Sequence, residues 1–189
     1  MNKRIYILCV FAFWGFIAKA QQAKVTKIEI KGAKRTKAAF VEKLVGIKEG
    51  MLLDSLRMEH DVTRLKRLPS ISHAYYEVFL FDSQNYEVHY TIEENFTLIP
   101  FANLFSSSND DFAFRVGLQE FNFLGRNITV GGFYQLDVYN SYGFSIRAPY
   151  LFSNKLGLAI NRQDLTTLEP VFFDNTSSNY KYNNDSFEV

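Results

Sequence analysis

The chain has 189 residues, 47% of them hydrophobic and 22% charged, with a formal net charge of +1. That length accommodates one domain or two small ones, and the near-neutral charge argues against a nucleic-acid partner. The single cysteine, Cys9, excludes a disulfide framework and a cysteine-based metal site.

At the N-terminus, Lys3 and Arg4 precede an apolar run from Ile5 to Ile17, followed by Ala18-Lys19-Ala20. A basic start, an apolar stretch and an A-x-A site define a secretory signal peptide over residues 1–20, cleaved after Ala20. The apolar run is shorter than the roughly 20 residues a spanning helix needs. Cys9 leaves with this segment, and its place inside the run argues against a lipoprotein anchor. Beyond it the chain divides by composition. Residues 21–95 carry 12 Lys/Arg and 11 Asp/Glu, whereas residues 96–189 carry 6 and 9, with 13 of the 19 phenylalanines. Two modules are therefore expected, meeting near Asn95 without a Gly/Ser/Pro linker.

The first module, residues 21–95, reads β-α-α-β-β. Val25 to Ile30 alternates as a strand, closed by Gly32. Thr36 is the expected N-cap of a helix from Lys37 to about Val45, with Ala38, Phe40, Val41, Leu44 and Val45 as its apolar set. Gly46 to Gly50 is a loop, and Asp54 caps a second helix over Ser55 to Arg67, stopped by Pro69. Leu56, Met58, Val62, Leu65 and Leu68 form its apolar set. Two strands, about Ser72–Phe81 and Tyr86–Glu94, are joined by the turn Asp82-Ser83-Gln84-Asn85. Two helices on one face of a three-stranded sheet make an α+β layer domain.

The second module, residues 96–189, is a succession of alternating strands. Phe96 to Phe105 comes first, and Pro100 within it lacks a ladder donor and so belongs on an edge strand. From Asp111 to Leu118, Phe112, Phe114, Val116 and Leu118 share one face, opposite Asp111, Ala113, Arg115 and Gly117. The rhythm returns at Ile128, Val130, Tyr134, Leu136 and Val138, at Tyr142, Phe144 and Ile146, and at Leu156, Leu158 and Ile160. Aromatic-rich strands with one apolar and one polar or small face are the mark of a transmembrane β-barrel, although a soluble β-sandwich also alternates. Arg115, Arg126 and Arg147 are expected to project into a polar lumen.

No catalytic constellation is present, and neither an enzyme nor a cofactor is expected. His60, His73 and His89 are scattered without ligand spacing. Glu93-Glu94 reads as a solvated strand end, and Arg64, Lys66 and Arg67 as a solvated helix face. Ser55, Ser70 and Ser72 lack a nucleophile elbow.

The order of elements and the local text together resemble a POTRA domain leading into an outer-membrane barrel. The residues concerned are I-x-I-x-G at Ile28, Ile30 and Gly32, L-x-x-L-P at Leu65, Leu68 and Pro69, and V-x-Y-x-I-x-E at Val88, Tyr90, Ile92 and Glu94. Asn122 to Asn127 (N-F-L-G-R-N, with Asn122 and Gly125) and Arg147 to Phe152 (R-A-P-Y-L-F, with Pro149) are similar to turns between early strands of the outer-membrane assembly-factor superfamily. That superfamily includes the BamA-type and TamA-type insertases and the two-partner secretion transporters.

The resemblance implies a periplasmic POTRA domain, an outer-membrane barrel present only in part, and a role in inserting or translocating proteins. Only five or six strands fit between Phe96 and Val189, where the family barrel has sixteen, so a partial or truncated copy is expected. The implied partners are unfolded outer-membrane or secreted client proteins, periplasmic or lipoprotein accessory subunits, and outer-membrane lipid, with no nucleic acid. Client binding would proceed by strand addition to the Ser72–Phe81 edge, with Tyr75, Tyr76, Val78, Phe79 and Phe81 supplying contacts. Pro100 would weaken the barrel seam. A two-partner-secretion-type transporter and a non-transporting outer-membrane scaffold are the alternative functions.

Overall fold

A computed structural model describes residues 23–106, 112–174 and 176–189. The expected signal peptide with Cys9, and Asp111 at the head of the alternating run, lie outside the described residues. The elements run β1 (Lys24–Lys31), α1 (Ala38–Leu44), α2 (Ser55–Lys66), β2 (Ile71–Leu80) and β3 (Asn85–Glu94), then six further strands. In the first sheet β3 is central, parallel to β1 and antiparallel to β2, so β1 and β2 form its edges.

Both helices lie on one face of this sheet. Val25, Val88, Tyr90, Ile92 and Ala74 pack there against Phe40, Val41 and Leu44 of α1 and Met58, Val62 and Leu65 of α2. In β1 simple alternation would set Val25 opposite Ile28 and Ile30. A bulge between Val25 and Lys27 inserts one extra residue, which turns all three toward the helices. Two members of the expected apolar sets stay outside: Ala38 is exposed, and Leu56 is 74% exposed on the solvent side of α2. Asp54 caps α2 as expected, accepting from the Arg57 N–H at 3.1 Å.

Thr36 does not cap α1. The N-cap is Lys37, which has no side-chain cap bond, because the Thr36 hydroxyl is engaged elsewhere. The far end of α1 is held instead by α2. Buried Asp61 accepts from the backbone N–H groups of Gly46 (2.6 Å) and Ile47 (3.1 Å) and from the Tyr90 hydroxyl (3.0 Å). One turn along, Arg64 lies on the exposed face with Lys66 and Arg67 as expected, and it also donates to the Leu44 carbonyl at 2.6 Å. Burial, together with the neighbouring Asp61 carboxylate, raises the Tyr90 phenol above its ordinary pKa.

The second sheet comprises β4 (Leu98–Ser106), β5 (Phe112–Phe123), β6 (Ile128–Leu136), β7 (Asn140–Ala148), β8 (Leu158–Phe173) and β9 (Thr176–Glu188). Each strand pairs antiparallel with the next, and the sheet is open, with β4 and β9 as its edges. Phe112, Val116, Leu118, Tyr134, Tyr142, Phe144 and Ile146 are exposed on one face, while Ala113 and Gln135 are buried on the other. The hydrophobic side therefore points outward and the small and polar side inward. Arg115 lies inside, 4.6 Å over the Phe133 ring and donating to Gln135 at 2.8 Å. The outward face loses its apolar character at the last hairpin, where Arg162, paired across from Phe144, forms an ion pair with Asp185 at 2.6 Å.

One inner row crosses the sheet as Phe101, Gly117, Phe133 and Gly143, each paired with the next. A Cβ on Gly117 would collide with the Phe101 ring, and one on Gly143 would stand 2.5 Å from the Phe133 ring. Each ring thus lies over the glycine of a neighbouring strand.

Replacing Asp61 with Ala leaves three donors, two of them buried, without their acceptor and is expected to destabilise the first domain by about 2–4 kcal/mol. Hydrogen exchange of the full chain reads the effect, with protection lost at Gly46, Ile47 and the β3 amides. Unchanged protection would contradict this role.

Candidate functional site

Three features stand out: the outer edge of β2, the β4 edge, and the joint between the two sheets. Among the described residues β2 pairs with β3 alone, so one row of its backbone donors and acceptors has no strand beside it there. Tyr75 and Tyr76 do not share a face, because neighbours in a strand point oppositely. Tyr75 and Phe79 stand on the helix-free side, with Tyr75 6.0 Å from His73 and Phe79 4.6 Å from His89. Tyr76 stands on the helix side, near Tyr90, and its hydroxyl donates to Glu59 at 3.1 Å. Val78, Phe79, Leu80 and Phe81 are all exposed toward the hairpin tip, beyond the cover of the helices. His89 is buried between Glu29 and Glu87, each 3.3 Å away, and no metal-ligating cluster occurs among the described residues.

Pro100 sits in β4, opposite Leu118, in the first strand of the sheet among the described residues.

The joint is built around the end of β3. The Glu94 carboxylate accepts backbone N–H donors from Lys34 (3.3 Å), Arg35 (2.9 Å) and Thr36 (2.6 Å), fixing the loop between β1 and α1. Glu94 is thus half-buried and fully engaged, and is no solvated strand end. Burial by itself would raise its pKa, but the donors of Arg35, Thr36 and Lys34 outweigh burial and hold it below the ordinary value.

Onto this fixed loop docks the β5–β6 turn. Asn122 is buried, its amide donates to the Thr36 hydroxyl at 2.9 Å, and its own carbonyl oxygen accepts from the Asn127 N–H at 2.9 Å. The Gly125 carbonyl accepts from the Lys37 N–H at 2.9 Å, and Arg35 reaches Glu120 at 3.4 Å. Gly125 has φ +67°, and a Cβ there would strike the Arg35 carbonyl. The β7–β8 turn makes a second contact, where Tyr150, next to Pro149, packs 6.0 Å from Phe40. Asn154 donates to the Lys43 carbonyl at 3.0 Å.

Asn122, Gly125 and the Pro149 turn therefore converge on one short stretch of the first domain, whereas the β2 residues and Pro100 lie elsewhere. Arg147 borders a hollow of about 760 Å³ on the inner face of the second sheet, but Arg126 does not, being in the docking turn beside α1. Asp61, Thr36 and Glu94 were not marked for these roles by the sequence, since each acts on residues remote in the chain.

This architecture is that of a POTRA domain followed by part of an outer-membrane-type β-barrel. The family described as "POTRA: Surface antigen variable number repeat" matches residues 23–95. No curated protein matches the chain. Among solved structures, BamA from Haemophilus ducreyi lacking POTRA domains 1–3 aligns with TM-score 0.64 at 17% identity, covering 84% of this chain and 30% of that one. CdiB from Escherichia coli aligns at TM-score 0.58 and 14% identity, covering 85% and 31%. CdiB from Acinetobacter baumannii gives 0.54 and 14%, covering 80% and 30%. The chain thus spans about 30% of the length of the structures whose fold it shares.

Two outcomes test the joint. Because the Glu94 pKa is lowered on folding, its contribution is complete above the ordinary carboxylate value of 4.5 and is lost as pH falls through the lower folded value. The Thr36 amide proton shift, followed by NMR, should titrate with a midpoint below 4.5; a midpoint at or above it refutes the assignment. Gly125→Ala should undock the turn and loosen the backbone at Arg35 and Lys37, whose side chains are already exposed, so that trypsin cleaves there several-fold faster than in the unaltered chain. Equal cleavage rates would show that the turn does not hold the loop.

Proposed function

We propose that this chain is part of an outer-membrane factor that inserts or translocates other proteins, with its POTRA domain in the periplasm. The observation that carries the reading is the open edge of β2, set in a POTRA domain that is docked directly onto barrel-type strands. An extended segment of an unfolded client adds to β2 as a fourth strand, and its main-chain hydrogen bonds give affinity with little demand on sequence. Tyr75, Phe79 and the exposed tip at Val78, Leu80 and Phe81 offer apolar contacts to alternate side chains of that segment.

The outward apolar face of the second sheet meets lipid in this reading, and its polar inner face lines a lumen. Hydrocarbon cannot satisfy the bare β4 and β9 edges, so further strands complete the barrel around them. The work is binding and templating, without catalysis, an energy cofactor or nucleic acid. Periplasmic or lipoprotein subunits are natural accessories. The likeness to CdiB supports a second reading, in which the barrel is a secretion transporter dedicated to one exported client.

The test is photocrosslinking from the β2 edge in membranes. Val78→Pro should abolish crosslinks to unfolded clients while the chain still inserts and its β3 amides stay protected from exchange. Crosslinking that survives the proline rules out strand addition at β2. Crosslinks to a spectrum of barrel proteins mark the insertase, and crosslinks to one secreted protein mark the transporter.

A further inference from the structure

Two adjoining hollows lie where the POTRA domain meets the outward apolar face. The first, about 250 Å³, is rimmed by Lys37 and Lys43 beside α1 and by Arg126 of the β5–β6 turn, over a floor of Ile128, Tyr150 and Leu151. The second, about 210 Å³, is lined by apolar side chains alone, Val130, Ile146 and Ile160 among them. Ile128 and Leu151 line both, so the cation-rimmed hollow opens directly into the apolar trough.

The charges on the rim are uncompensated. No carboxylate lines the first hollow, and among the described residues Lys37, Lys43 and Arg126 take part in no salt bridge. Lys43 reaches only the Tyr150 carbonyl, at 3.4 Å. Three cations gathered without a counter-charge favour an anion among them. Arg126 is carried there by the docking of its turn, so the cluster exists only when the two modules are joined.

We propose that this is a seat for an anionic membrane phospholipid, its phosphate held among Lys37, Lys43 and Arg126 and one acyl chain laid along the trough. A free phosphate would satisfy the cations but leave the trough bare, whereas an amphiphile covers both. The proposal rests on the reading that the outward face meets lipid. It gives the joint a second partner, in that the lipid touches both the POTRA helix and the barrel turns and so steadies their docking.

The test is flotation of the full chain with vesicles of phosphatidylcholine alone or with phosphatidylglycerol added. The chain should bind the neutral vesicles through its apolar face and the anionic ones about a hundredfold more tightly, each of the three cations near an anionic surface contributing about fivefold. The triple variant Lys37→Gln, Lys43→Gln, Arg126→Gln should lose that preference yet keep its binding to neutral vesicles. The charge-preserving variant Lys37→Arg, Lys43→Arg, Arg126→Lys should retain it, as should neutralising Lys24, Lys27 and Lys31 on β1. A preference that persists in the glutamine variant, or that falls equally with the β1 lysines, overturns the site. Loss of the preference to inorganic phosphate, beyond that caused by chloride at equal ionic strength, assigns it to the free ion instead. Failure to bind even neutral vesicles refutes the membrane reading itself.

Discussion

A single carboxylate organises the meeting of the two halves of this molecule. Glu94 closes β3 and gathers the N–H groups of Lys34, Arg35 and Thr36, converting a loop between strand and helix into a fixed surface. Asn122, Gly125 and Arg126 are placed by that surface, and through them β5 and β6. Because Glu94 is followed within a few residues by β4, the same short stretch both supplies the socket and carries the chain across to the second sheet. The orientation of the POTRA domain against the barrel strands thus follows from hydrogen bonding at one strand end, seconded by the β7–β8 turn at Phe40 and Lys43, rather than from a broad apolar contact.

Much of the architecture was legible from periodicity. The alternation from Phe112 to Leu118 predicted β5 and the sidedness of the second sheet as far as β7, and Asp54 marked the start of α2. What was not legible shares one property, dependence on partners far along the chain. Thr36 looks like a cap because hydroxyls before helices usually are, but its hydroxyl is taken by Asn122, 86 residues away. Glu94 looks solvated beside Glu93 until the loop 58–60 residues earlier folds over it. Asp61 reads as one more charge on an amphipathic helix, yet it is the acceptor for the end of α1. The bulge at Thr26, by contrast, leaves a trace in the sequence, since the two polar residues Thr26 and Lys27 break the alternation between Val25 and Ile28.

The residues of the two family-like turns divide in a similar way. Asn122, Gly125 and Pro149 looked like features of the barrel, and they are turns by geometry. Asn122 and Gly125 nevertheless bind the POTRA domain at Thr36 and Lys37, and Pro149 opens the turn whose Tyr150 and Asn154 meet Phe40 and Lys43. Short text that resembles a family motif can therefore encode a relation between domains rather than a property of the domain that contains it.

The Phe101–Gly117–Phe133–Gly143 row has a bearing on how the strands find their alignment. Side chains alternate, so a strand can slip against its neighbour only in steps of two residues if its inner face is to stay inside. A two-residue slip of β4 would carry the Phe101 ring off Gly117 and onto Arg115 or Gln119, where a side chain already fills the space. The same holds for Phe133 over Gly143, whose neighbours along β7 are Ser141 and Ser145. Backbone hydrogen bonds are indifferent to such a shift, since every register offers as many. The rings and vacancies act as the teeth and notches of a vernier, admitting one setting out of several that the ladder alone would accept.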